Sequence, residues 1–447
     1  MRKTLLTAVA VLAASSAIYA QSDNGFTVIP SPADDNLIMY SLSPNGRYVG
    51  GNTLVTNQAA VYDLQDKKLT IVGEEAPDGS ADVRKIADDG KFVAMFSDTN
   101  TWGTLYSFSG DILANYGNGS LPKGLTKSGD LTVGAMMNAD GATWNACYWD
   151  GTTPVYLPEP SEKWAGWTSL DPDDPRTVNG TSADFVSADK SVIVGYIIDN
   201  MSTYPAAIWR QNKDGKTYSL DFISHRYFDN DWDGTRPYVM FQSSALSSNG
   251  KWIAITLATA DVNGFSQNYG FGRFNVDTET LETYLYDDQA SVEETYASGI
   301  ADDGTIIGFI SSSVGEQGVI WPADEKAPST LAEKYPNVPQ FAEYDESGHM
   351  VGAISADGRY ISGYGYYYRG LDTDDESDDS AGYESYIFDR QAKGTTGIKA
   401  ATTTTNKNLG QKKFTRYTLD GRKVSSRIPG FNILKFGDGR TVKTLEK

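Results

Sequence analysis

The chain has 447 residues, more than one simple core needs, and apolar residues make up 40% of it, enough to bury a large interior. Its 58 acidic residues against 38 basic ones leave a net charge of −20, which excludes nucleic acid as the natural partner because phosphates would be repelled. A single cysteine, Cys147, excludes an intramolecular disulfide, so the fold must hold by burial and sheet pairing alone.

The N-terminal 20 residues read as a secretory signal peptide. Arg2 and Lys3 precede an apolar run from Leu5 to Ala14 that is too short to span a bilayer, and Ile18-Tyr19-Ala20 is an acceptable cleavage site. No later segment approaches 18 consecutive apolar residues, so no transmembrane segment is expected in the mature chain. Phe26-Thr-Val-Ile29 follows as a short strand suited to completing a sheet elsewhere in the chain.

From residue 42 one pattern recurs: an apolar residue, a polar turn ending in Gly, then an alternating strand that ends in a small residue. It reads Leu42-Ser-Pro-Asn-Gly-Arg-Tyr-Val-Gly50, Ile86-Ala-Asp-Asp-Gly-Lys-Phe-Val-Ala94 and Leu125-Thr-Lys-Ser-Gly-Asp-Leu-Thr-Val-Gly134. The fourth copy, Val186-Ser-Ala-Asp-Lys-Ser-Val-Ile-Val-Gly195, places Lys190 where the others have Gly. The last three begin at Leu246, Ile300 and Ile354. Asn-Gly and Asp-Gly supply the positive φ that tight hairpin turns demand. Each copy is followed by an aromatic-rich strand, such as Ala60-Val-Tyr62, Cys147-Tyr-Trp149 or Ala207-Ile-Trp209, and by a further short strand, such as Leu69-Thr-Ile-Val72. Seven four-stranded antiparallel units, spaced by roughly 40 to 60 residues, match propeller blades. The fold expected is all-β: a seven-bladed β-propeller over residues 21–395 plus a small β-rich module at the C-terminus. Over about residues 40 to 390 the turn motif resembles the short repeats of secreted bacterial propellers, a resemblance that implies fold only.

Hairpin turns within a blade fall on one face of such a disc, and strand-two-to-three and inter-blade connections on the other. The long insertions, 156–183, 222–241, 258–269 and 364–384, are all expected as loops on that second face. They carry Trp164, Trp167, Tyr227, Trp232, Tyr366, Tyr367, Tyr368 and Arg369, interspersed with carboxylates. Aromatic platforms beside acceptors suit a glycan, and equally a protein partner anchored by Tyr and Trp. Asp229, Asp231 and Asp233, followed by Gly234, have the alternating start of a calcium loop; the later acid such loops use is absent, with Pro237 and Met240 at the two places where it would stand, so a solvated acidic turn is the alternative. An enzyme would need an acid/base pair, which no spacing singles out; a hydrolase or lyase would draw on His225, Asp229 and Asp231. A structural subunit of a surface complex is a third reading. Cys147, inside an apolar run, reads as a buried thiol rather than a nucleophile.

Residues 396–410 are Thr-rich and linker-like. From residue 398 onward the chain carries twelve Lys/Arg and three Asp/Glu, so this end is +9 and the remainder −29. Within residues 411–447, Tyr417-Thr-Leu-Asp-Gly-Arg-Lys-Val424, Gly430-Phe-Asn-Ile433 and Gly439-Arg-Thr-Val-Lys443 occur in order. This resembles the C-terminal sorting domains of Bacteroidetes cargo. The resemblance implies passage through the periplasm, recognition by the type IX secretion machinery, and a secreted or outer-membrane-surface destination.

Overall fold

A computed structural model describes residues 24–392 apart from 33–34, 74–80, 97–102, 140, 142, 161–177, 200–205, 224–237, 261–265, 287–291, 314 and 370–379, and beyond them the strands within 414–446. The chain divides into two compact units, Met1–Gly397 and Ile398–Lys447.

The first unit is a β-propeller. Among the described residues its strands form seven four-stranded antiparallel sheets in chain order, numbered here sheet 1 to sheet 7, and the third and fourth are bridged by one parallel pair, Trp144 with Gly180. Sheet 1 shows the plan: Leu37–Leu42, Tyr48–Thr53, Ala59–Asp63 and Lys68–Val72, each paired with the next. Sheet 7 supplies only three strands from its own stretch of chain, His349–Ile354, Tyr360–Arg369 and Ser380–Asp389. Its fourth is Phe26–Val28 from the opposite end of the unit, with Phe26 opposite Phe388 and Val28 opposite Tyr386. Ser385 Oγ adds a second tie, donating to Leu37 O and accepting from the Met39 N–H.

The repeated turn is one backbone solution used seven times. Gly46, Gly90, Gly129, Gly250, Gly304 and Gly358 all have positive φ, and Lys190, at the equivalent place, is forced to φ 66° as well. Neighbouring turns bond to each other around the ring: Asp88 N–H to Lys127 O, Ala188 N–H to Ser248 O, Asp302 N–H to Ala356 O, and Ala356 N–H to Pro44 O across the closure.

Between adjacent sheets lie apolar clusters, because a four-stranded sheet of this kind has two faces to bury and only its neighbours to bury them against. Sheets 1 and 2 enclose Val61, Val72, Val83, Phe92 and Phe96; sheets 4 and 5 enclose Val194, Ile208, Ile253 and Phe274. Among the second-strand glycines, Gly50 faces Val83 and Ile86 of sheet 2. At Gly51, Gly134, Gly195 and Gly308 a Cβ would instead lie about 2 Å from a backbone carbonyl of the first strand of the same sheet.

One expectation needs correcting. The described parts of the insertions at 258–269 and 364–384 are strand rather than loop, running as Trp252–Ala260 with Ser266–Asn275, and as Tyr360–Arg369 with Ser380–Asp389. Alternating side chains let such a segment pair onward past the disc. The unit is otherwise nearly all β, as expected. Between sheets 6 and 7 two short helices, Leu331–Lys334 and Pro339–Asp345, form the connection. Thr330 and Glu333 make a reciprocal capping box on the first, and Pro339 starts the second. Leu331, Val338, Phe341 and Tyr344 from this insert join the core between sheets 6 and 7.

In the second unit the strands Phe414–Tyr417, Lys423–Val424, Gly430–Phe436 and Thr441–Glu446 make one antiparallel four-stranded sheet, with the first between the second and third.

Phe26 is buried against the rings of Phe341, Tyr344 and Tyr386. Phe26→Ala should lower unfolding stability by about 3–5 kcal/mol in denaturant titration; a loss under about 1 kcal/mol would show that closure does not depend on this strand. A second prediction concerns the clasp inside sheet 1. Asp63 is buried, and Arg47 holds it by two bonds, Nε to Oδ1 at 3.0 Å and Nη2 to Oδ2 at 2.6 Å. Burial raises the Asp63 carboxyl, but the Arg47 bonds and the Gln65 and Asp66 amides outweigh it and set it below the ordinary 3.8. A depressed carboxyl stabilises the fold above its unfolded value and loses that contribution as pH falls further. Asp63→Asn should therefore cost about 2–3 kcal/mol at neutral pH, and the gap from wild type should close below pH 3.8 in chemical denaturation at stepped pH.

Candidate functional site

The innermost strand of every sheet carries a β-bulge at the same place. The extra residues are Tyr40, Arg84, Lys123, Asp184, Ser244, Ser298 and Gly352. Each lies two positions before the apolar residue that opens the repeat. A bulge bends the strand and re-aims its side chains, and here seven bends converge on one axis. A cavity of about 90 Å³ lies on that axis, and its wall takes one apolar residue from each sheet: Leu42, Ile86, Leu125, Val186, Leu246, Ile300 and Ile354.

The axial wall is asymmetric. At the bulge position sheets 1 to 4 place large polar groups and sheets 5 to 7 place Ser244, Ser298 and Gly352. At the next position six sheets have Ser41, Gly124, Phe185, Ala245, Gly299 and Ala353, while sheet 2 has Lys85. The polar arc is internally bonded. Asp82 accepts from the Tyr40 hydroxyl and pairs with Arg84 at 2.5 Å. Asp184 pairs with Lys123 at 3.2 Å and accepts from Ser182 Oγ at 2.6 Å, while Lys123 also reaches the Tyr196 hydroxyl at 3.0 Å. Burial would lower the Lys123 amine, but Asp184 and Tyr196 hold it above its ordinary value. Burial, then Asp82, pushes the Tyr40 hydroxyl well up. Lys85 lies with its ammonium 4.9 Å from the Phe185 ring centroid, and burial lowers its amine to about 8.

A second locus lies on the face where the long hairpins rise. Turns of the repeat fix one end of every strand, so added length extends only the other end. First and second strands have six residues in sheet 1, nine in sheet 5, and the second and third strands of sheet 7 have ten. At about 3.3 Å per residue the longest rise roughly 13 Å higher. Aromatic rings line these hairpins near the level where the added length begins. Tyr296, 40% exposed, stacks on Phe309 at 4.7 Å, and Tyr383 meets Tyr366 at 5.0 Å and Tyr364 at 6.0 Å.

Of the residues singled out in the sequence, Tyr366 and Tyr383 form a cross-strand pair, whereas Tyr367 packs against the core of the helical insert. The strand carries Tyr368 and Arg369 to its end, opposite Ala381 and Ser380. Trp164, Trp167, Tyr227, Trp232, Asp229, Asp231, Asp233 and His225 lie outside the described residues. Among the described residues no group of three or more His, Cys, Asp or Glu is placed to hold a metal ion. His349 is fully buried between Asp345 and Tyr386, each at 2.7 Å, which makes it part of the core. The sequence reading missed the axial arc and the Tyr296–Phe309 pair. The signal was present in the residues one and two places before each repeat, which break the repeat's uniformity.

No protein-family model matches the chain, and no curated protein matches it. Solved structures similar to it include the Cps50 (Swd1) β-propeller domain of Myceliophteria thermophila, at 9% identity over 80% of this chain and 99% of that one, TM-score 0.45. Apo prolyl oligopeptidase B from Galerina marginata matches at 12% identity over 90% of this chain, TM-score 0.44; this chain covers 55% of its length. TolB from Acinetobacter baumannii matches at 10% identity over 67% of this chain and 64% of that one, TM-score 0.38. Among the described residues no helix is long and apolar enough to cross a membrane.

Cys147 is fully buried and burial pushes its thiol well above the ordinary range. It should not react with a disulfide reagent at pH 8 in the native protein and should react fully in denaturant; rapid native labelling would mean that the site opens.

Proposed function

We propose that this chain is a binding module that receives a glycan or an extracellular protein on its hairpin face. The observation that carries the reading is the rise of the sheet 5 to sheet 7 hairpins above the disc with ring pairs along them, Tyr296 on Phe309 and Tyr366 on Tyr383. Rings held by cross-strand pairing are rigid, half-exposed and low in conformational entropy, the properties of an anchor for sugar C–H faces or for a partner's apolar side chains. A hydrolase or lyase reading has no such support among the described axial groups, because Asp82 and Asp184 each already engage a base. Calcium at Asp229, Asp231 and Asp233 remains part of the proposal for the same face. The leader at residues 1–20 and the sorting-domain resemblance of residues 411–447 support secretion to the cell surface.

The test is binding of the mature chain to a glycan array, with and without calcium, beside Tyr296→Ala and Tyr366→Ala. Saturable glycan binding weakened at least tenfold in either variant supports the reading for sugars. Silence across the array moves the ligand class to protein. Binding that neither variant weakens removes the hairpin face as its site.

A further inference from the structure

The axial cavity carries a second inference, independent of the hairpin face. At the position just after the bulge, six sheets have a side chain that is small or apolar, and Lys85 stands out as the single charge. Gly124, between Lys85 and Phe185 in the ring, has no room for a side chain, since a Cβ there would meet Val133 and the Asp184 carbonyl. Lys85 therefore passes over sheet 3 and places its ammonium on the Phe185 ring at the cavity wall. Its cationic neighbours are neutralised: Arg84 by Asp82, Lys123 by Asp184, and Lys127, also on the wall, by Asp88 at 3.5 Å. Among the described residues no carboxylate lies at ion-pair distance from Lys85.

We propose that this cavity binds a single carboxylate group, paired with the Lys85 ammonium. Asp184 acts on Lys85 from beyond ion-pair distance and is itself paired with Lys123, so one cation without an ion pair faces the cavity and suits a monoanion rather than a phosphate dianion. The volume of about 90 Å³ equals roughly three water molecules, the size of a carboxylate with one or two carbons behind it. A half-buried ammonium on an aromatic ring, partly stripped of water, gains more from an arriving anion than an exposed one would. The carboxylate belongs either to a free small acid or to the acidic end of a larger sugar. Because Lys85 loses its proton near pH 8, anion binding should weaken as pH rises through that value.

The experiment is calorimetric titration of the mature chain with acetate and with phosphate against chloride at matched ionic strength, and with glucuronate against glucose. Acetate should saturate where chloride does not, and Lys85→Met should weaken it at least tenfold; affinity should fall between pH 7 and pH 9. Glucuronate binding tenfold tighter than acetate, with glucose inert, identifies the sugar source, and equal affinities identify the free acid. If Lys85→Met does not fold, NMR titration of carbon-13-labelled lysine in the wild type replaces it, and acetate should raise the Lys85 titration midpoint. No saturable carboxylate binding, binding untouched by Lys85→Met, phosphate binding as tight as acetate, or an unmoved midpoint overturns the proposal. None of these outcomes bears on the hairpin face.

Discussion

The pairing of Phe26–Val28 with Tyr386–Phe388 is the constraint on which the propeller depends. A sheet in a ring needs a neighbour on each face, so seven sheets in a row leave two outer faces exposed unless the row closes. The closing strand comes from the opposite end of the unit, and its cost in chain entropy is met by burial of Phe26 between sheets 6 and 7 and of Ile29, Leu37 and Met39 between sheets 7 and 1. The Ala356-to-Pro44 bond among the turns repeats the same closure at the axis.

Once the ring is closed, the seven bulges converge and symmetry makes the axis a special place. The backbone there is nearly the same seven times, so what distinguishes one side from the other is only which side chains stand at two positions of the repeat. Sheets 1 to 4 spend them on Tyr40, Arg84, Lys85, Lys123, Asp184 and Phe185, and sheets 5 to 7 on Ser, Gly and Ala. Within the polar arc Asp82 and Asp184 pair with their immediate basic neighbours, Arg84 and Lys123. Lys85 is the member whose ammonium rests on an aromatic ring.

The two faces differ for a reason of chain economy. Tight Gly turns bonded to one another leave one face no freedom to vary, whereas strand ends on the other can lengthen without disturbing the ring. Variation collects there: the long hairpins, the ring pairs and the helical insert all lie at strand ends remote from the repeated turn. Tyr367 illustrates the limit of counting aromatics, since adjacent residues on a strand face opposite ways. Tyr366 meets Tyr383, and Tyr367 serves the core.

Local chemistry was enough to read the repeat. Turn glycines, alternating strands and their recurrence determined the all-β class, the four-stranded unit and the turn at Lys190, because these depend on φ preferences and period-two burial within a few residues. The capping box at Thr330 and Glu333 was equally local and announced a helix that the strand pattern hid. Other features were decided only by tertiary structure. The continuation of strands into 258–269 and 364–384 follows from finding a partner strand, which composition does not reveal. The axial site joins Lys85, Gly124 and Phe185, residues from three sheets that no local spacing connects; closure of the ring alone brings them to one wall.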